Sequence, residues 1–411
     1  MNDTMTSGKL NLIVMVLLTI ICVRFSASYF SYAVGIFLLY FLYDVYVSHK
    51  NQREFWPNIN KIGRYLLGGT ALFYMVLLGD NLLLNDWQSV AKGIDIALLS
   101  VPFYMFFFLE GKHGVDRGIR WGVLAGSTII TVYGLYKGLL GMDGRYESFF
   151  AHPNHFGTAI AMLCPFLCML FWKEQKIWKK TGIGILILAM LFCLYKTESR
   201  GAIAAFLGGI LISVGSMLWL YRSRISEKTK KMIGIFLVLI CLIGGAGFGY
   251  LQSERTGAGK IGGERIIMLE ASYEMWQDHK WMGIGMDRWG EYYYSPQYHP
   301  KTGHETNLSM PHNMFIYFLS TAGICGGVGY LLFLGLSIWG LYKTAGLIGN
   351  PWLSTAILAA FWAFTIQGLV DTTIINKIPS RIYFALMGYY IALGSICKTE
   401  PKKKNSFSDP G

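Results

Sequence analysis

The sequence predicts an all-α polytopic membrane protein of about twelve transmembrane helices, and three observations lead there. Apolar runs near the length of about twenty residues that crosses ~30 Å of hydrocarbon recur along almost the whole chain. Mean hydropathy is +0.41 and only 15% of residues are charged, too apolar a mixture for an ordinary soluble domain. Lysine and arginine also gather in alternate connecting segments instead of spreading evenly.

Taken in order, the expected spans are 10–23, 29–47, 65–84, 90–109, 119–140, 153–172, 181–196, 200–221, 232–251, 313–341, 352–370 and 380–397. The first reads as a retained span, because no small-residue cleavage signature follows it. The tenth is long and rich in glycine (Gly323, Gly326, Gly327, Gly329), which allows close helix packing or a break. An even number of spans puts both termini on one side. If that side is the cytoplasm, inner segments hold about 22 basic residues against about 8 in the short outer ones, and the positive-inside rule selects this orientation. The sequence then divides into N-terminal helices (1–140), a main membrane region (141–397) with one long outer loop (252–310), and a basic tail (398–411).

The net charge of +12 is what cytoplasmic loops retaining Lys and Arg produce, and it does not call for a nucleic-acid partner. All seven cysteines fall within apolar spans or at their ends, so they read as small buried residues and not as a disulfide framework.

Four outer clusters are far richer in His, Arg and acid than the spans they join. The first runs from Arg145 through Glu147 to His152-Pro153-Asn154-His155, at the start of a span. The second, Glu198-Ser199-Arg200-Gly201, fills a tight turn. The third is Gly262-Gly263-Glu264-Arg265 with the helical stretch after it, and the fourth is Pro311-His312-Asn313.

Each has a plain structural reading beside a chemical one. Arg200 could anchor a helix end among lipid headgroups, and Arg265 could be a solvated loop charge. His312 could cap its span, and His152 could brace a turn through Pro153 and Asn154. Ile266, Ile267, Leu269, Tyr273 and Trp276 have partial helical spacing, which predicts an amphipathic helix on the membrane surface with Arg265 at its start. A metal site from His152, His155, His299 and His304 would need a spacing that matches no strong ligand pattern, and neither metal nor cofactor is expected.

This ordered set of HPN at 152–154, SRG at 199–201, GGERIIMLEASYEMWQDHKWMGIG from 262, PHN at 311–313 and the acid Asp371 resembles the bacterial O-antigen ligase and O-antigen polymerase superfamily. The resemblance covers residues 140 to 390. It implies a metal-independent glycosyltransferase of the membrane C-type architecture, acting at the periplasmic face of the bacterial inner membrane on undecaprenyl-diphosphate-linked glycans. The family's turn arginine matches Arg200, its long-loop arginine Arg265 and its loop histidine His312. These three are the expected catalytic residues, with Arg145, His152, Asn154, Asn313 and Asp371 as expected substrate-binding residues.

Chemically the set is coherent. A departing diphosphate needs its negative charge held, and arginine forms bidentate bonds to phosphate oxygens. The acceptor hydroxyl needs a base, and His312 is the candidate. The expected reaction is O-antigen ligation to lipid A–core in lipopolysaccharide biosynthesis, with the lipid-linked glycan, the acceptor glycan and membrane lipids as partners. Polymerisation of carrier-linked repeats is the alternative. A lipid-linked glycan transporter is the remote one, since it would require polar residues at the bilayer midplane and internal repeats, and neither is visible.

Overall fold

A computed structural model describes residues 2–22, 61–111, 114–141, 144–223, 263–298 and 307–396, with short stretches between 42 and 50 and between 226 and 238. The described residues are helices and turns, with no strand among them. The helices are α1 (Asn2–Cys22), α2 (Lys61–Leu83), α3 (Trp87–Glu110), α4 (Asp116–Leu139), α5 (Pro153–Lys173), α6 (Ile177–Lys196) and α7 (Arg200–Leu220). They continue as α8 (Gly263–Asp278), α9 (Trp289–Tyr293), α10 (Met314–Thr321), α11 (Gly323–Ile348), α12 (Pro351–Gly368) and α13 (Lys377–Ile396).

Among the described residues, six helices are long and apolar enough to cross a membrane: α2, α3, α5, α6, α7 and α11. α1, α4, α12 and α13 occupy the positions of four further expected spans. The expected spans 29–47 and 232–251 fall mostly outside the described residues, as does the tail 398–411.

α12 and α13 are the interior of the bundle. α12 is buried from Ala356 to Phe361 and again at Ala363 and Phe364, and α13 from Ile382 to Ala392. An apolar helix can face either protein or lipid, and burial along these two puts them inside. α12 packs most extensively on α7 and α5, and α13 on α3. Small residues allow the close approach: a carbon added at Gly209 of α7 would lie 2.7 Å from the Ala359 carbonyl oxygen and 3.0 Å from the Ala363 nitrogen.

The expected span 313–341 is broken. α10 stops at Thr321, Ala322 interrupts, and α11 starts at Gly323 with φ +61°. The loop inserts at that break: Ile284 N–H donates to the Ser320 carbonyl at 3.0 Å, and Gly285 N–H to that of Thr321 at 2.9 Å. Carbonyls freed by ending α10 are thereby satisfied. A side chain at residue 323 would meet the Trp281 carbonyl oxygen at 2.0 Å, so only glycine fits.

α8 forms where a helix was expected, and it also has a protein-facing side. Its buried face is Met268, Ala271, Ser272 and Met275, packed on Ile284, Trp289, Tyr293 and Tyr298 as a small core separate from the main one. Trp289 Nε1 donates to Ser272 Oγ at 2.9 Å, and the Tyr298 hydroxyl to Asp278 Oδ2 at 2.7 Å. Ile266 and Tyr273, expected on the apolar face, are about half exposed at 53% and 48%. The loop's own aromatic residues, invisible to a periodicity argument confined to one helix, chose the buried face.

Candidate active site

Four segments converge at the end of the bundle where α5, α7, α10 and α13 begin and α6 and α12 end. Three of these helix starts, those of α5, α7 and α10, have a polar cap. His152 Nδ1 accepts the Asn154 N–H at 3.1 Å, Ser199 Oγ accepts from Ala202 N at 3.3 Å, and Asn313 Oδ1 from Ile316 N at 3.0 Å. These caps satisfy orphan N–H groups and leave the side chains at the bundle's rim.

Asp371 is the centre. It lies in the turn after α12, only 2% exposed. Its Oδ1 is 3.3 Å from His312 Nδ1 and accepts the Thr372 N–H at 2.8 Å, while Oδ2 lies 3.9 Å from His155 Nε2. Burial pushes the Asp371 carboxyl up. The His312 hydrogen bond, the charges of His155 and His312, and the Thr372 N–H outweigh burial and bring it down to about 2. The group is therefore a carboxylate at any physiological pH, facing two imidazoles from two different segments.

His312 itself has φ +52°, the left-handed region that few side chains other than glycine occupy. Buried Pro311 precedes it, and Asn313 donates from Nδ2 to the Leu369 carbonyl at 2.9 Å. That bond ties the histidine's segment to the Asp371 turn.

The Arg200 turn lies against the same turn from the other side. Glu198 is left-handed at φ +51°, and Arg200 opens α7 with its side chain partly buried. A carbon added at Gly201 would lie 2.7 Å from Val370 Cγ2 and 2.8 Å from Gln367 Oε1. Only a glycine lets α7 start so close to the end of α12.

Arg145 and Asn154 stitch the cluster together. Arg145 Nε donates to the Thr197 carbonyl at 2.8 Å and Nη2 to Asn154 Oδ1 at 3.3 Å, and Tyr146 N–H donates to the Lys196 carbonyl at 3.0 Å. Lys137 pairs with Glu147 at 2.9 Å beside them. His152 and His155 have ring centroids 5.8 Å apart.

Of the residues singled out in the sequence, the structure brings together Arg145, His152, Asn154, Arg200, His312, Asn313 and Asp371. Arg265 is not joined to them by contact: it is exposed in the first turn of α8 and makes no hydrogen bond or ion pair among the described residues. Among the described residues no three His, Cys, Asp or Glu side chains stand together as metal ligands. His299 and His304 lie outside them.

Sequence reasoning missed two polar side chains of this cluster. His155 passed as one more residue of a histidine-rich start. Its signal was its place in the first turn of α5, close behind the capping His152. Gln367 was passed over inside an apolar span, four residues before Asp371.

No curated protein matches the chain. Residues 185–331, which run from α6 into α11 and include Arg200, Arg265 and His312, match the family model Wzy_C, described as O-antigen ligase.

Proposed function

We propose that the protein transfers a glycan from an undecaprenyl-diphosphate carrier to an acceptor sugar hydroxyl at the outer face of the inner membrane, in O-antigen ligation onto lipid A–core. One observation carries this reading beyond the family: the His312–Asp371 pair, 3.3 Å apart, shares a turn with the segment against which Arg200 begins its helix. With Nδ1–H donated to the carboxylate, Nε2 keeps its lone pair and can take a proton.

In this reading the acceptor hydroxyl oxygen bonds to the anomeric carbon while its proton passes to His312 Nε2. The bond from that carbon to the carrier's diphosphate oxygen breaks, and its electron pair stays on the diphosphate. Arg200 grips the diphosphate oxygens and stabilises the charge that develops there. Arg265, exposed in the first turn of α8, is the second guanidinium assigned to the diphosphate. Two guanidinium forks supply the charge that a divalent cation supplies in other phosphate-dependent enzymes.

The deciding experiment deletes the gene and profiles the surface glycans. Carrier-linked polymer left unligated is expected. A single repeat on the core would instead identify a polymerase, and unchanged glycans would overturn the reading. Orientation is tested separately in spheroplasts with an impermeant thiol reagent: a cysteine at Lys176 should stay shielded, and one at the exposed Lys280 should react.

A further inference from the structure

The buried amide of Gln367 is the most unusual polar group of this bundle end. It lies in the last turn of α12, 1% exposed, and neither Oε1 nor Nε2 has a hydrogen-bond partner among the described residues. Such a group costs free energy in the folded chain unless something pairs with it. An apolar side chain of the same length would fill the space at no such cost.

Its neighbour says what could pair with it. The amide lies against the first turn of α7, with Oε1 2.8 Å and Nε2 3.4 Å from where a Gly201 side chain would begin. Ser199 takes the N–H of Ala202 through Oγ and that of Ile203 through its carbonyl. The Gly201 N–H has no acceptor among the described residues. The start of a 21-residue helix carries a partial positive charge, and its unused N–H groups point out along the axis. The amide, whose Nε2 can donate, thus lies beside the N-terminus of α7, the helix that Arg200 opens. A side-chain N–H next to an unused backbone N–H, on a helix start that also carries an arginine, fits an anionic oxygen.

We propose that Gln367 Nε2 and the Gly201 N–H form a subsite for a phosphoryl oxygen of the donor's diphosphate, next to the grip of Arg200. The inference rests on the proposed transfer from a carrier diphosphate and adds a binding residue to it. It also accounts for glycine at 201: any side chain there displaces the amide from the helix start. The phosphoryl group is assigned to the carrier's diphosphate, in keeping with the proposed reaction, and a phospholipid head group is the alternative that the test separates.

The test uses the full chain in nanodiscs, with undecaprenyl diphosphate and phosphatidylglycerol as probes and Gln367→Met as the variant. Methionine keeps the length and removes both polar atoms. The expected result is a melting temperature equal to or above wild type, together with affinity for undecaprenyl diphosphate about ten- to a hundredfold weaker. Affinity for phosphatidylglycerol should not change. A lower melting temperature with unchanged undecaprenyl diphosphate affinity would overturn the subsite and make Gln367 a structural group. Equal weakening toward both lipids would also overturn it, in favour of a general headgroup contact. Gly201→Ala supplies a second variant, expected to weaken the same affinity by pushing Oε1 aside. If wild type itself failed to bind undecaprenyl diphosphate, the proposed function would fall. If wild type and Gln367→Met bound it equally, only the subsite would.

Discussion

Two polar clusters stand at opposite ends of α10, about 12 Å apart for an eight-residue helix, and they are built on different principles. In the one at the α10–α11 break the principal groups pair with one another, and only Oδ2 of the neighbouring buried Asp80 is left without a hydrogen bond among the described residues. Asp86 caps α3 through Gln88 and Ser89 and accepts from Arg288 Nε at 2.6 Å. Asp287 takes Gln88 Nε2 at 3.1 Å and Lys92 Nζ at 3.3 Å, and Asn81 Oδ1 takes the Met286 N–H at 3.3 Å. Its one left-handed residue outside glycine is Asn85, a type that adopts this conformation readily. The cluster at the start of α10 leaves Asp371 Oδ2 and the whole Gln367 amide without hydrogen bonds, and places Glu198 and His312 in left-handed backbone. Both are dense in charge. Completeness of pairing, not polarity, separates a clamp from a site that keeps groups in reserve for a substrate.

The sharpest way to break this contrast is His312→Gln, which keeps a hydrogen bond to Asp371 but cannot accept a proton at neutral pH. Turnover should fall by about 10²–10⁴-fold with protein abundance and donor binding retained. Substantial activity in that variant would reduce His312 to an acceptor-positioning residue.

Arg200→Lys should lower transfer by about 10²–10³-fold, because lysine keeps the charge and loses the two-point grip. Arg265→Lys should follow in the same direction. Near-normal transfer by both would return these arginines to headgroup anchors. Normal transfer by Arg265→Lys alone would leave it the solvated surface charge that its exposure suggests.

On the paired side the effect should be structural and smaller. Asp86→Ala removes a helix cap and the Arg288 contact and should cost about 1 kcal/mol of stability, read as a lower melting temperature in detergent. Activity per folded molecule should persist. A variant that folded normally yet lost turnover would show that the clamp also serves the chemistry.

The smallest effect concerns pH. Asp371 titrates at about 2 in the folded chain against an ordinary 3.8. A depressed carboxylate contributes stability that is present above the unfolded value and is lost as pH falls through the folded one. The melting-temperature gap between wild type and Asp371→Asn should therefore be constant from about pH 5 to 8 and shrink only below about pH 4. A gap that already shrank near pH 6 would show that histidine ionisation, not the carboxylate, governs the pair.

Helical class, apolar spans and the rank order of motifs were legible in the chain itself, because span length, charge in alternate loops and short polar strings are local properties that survive without a fold. Helix caps were less legible: Asp86, Ser199, Asn313 and Asn350 cap their helices, whereas the sequence offered His312 as the capping candidate beside Asn313. The break at Ala322 was only half legible. Four glycines permitted it, but the segment 281–285 that satisfies the freed carbonyls comes from forty residues earlier in the chain. The protein-facing side of α8 was not legible, because residues beyond the helix decided it.

What tertiary structure alone decided is which polar residues meet. His155, His312 and Asp371 lie more than two hundred residues apart end to end, and no periodicity links them. They converge because α12 packs on α5, and Asn313 fastens the α10 segment to the Leu369 carbonyl. Gln367 carries the lesson furthest. As a letter in an apolar span it is one polar residue among many. Only packing against Gly201 makes it a buried amide without a partner, since burial and pairing are properties of neighbours that a linear sequence does not state.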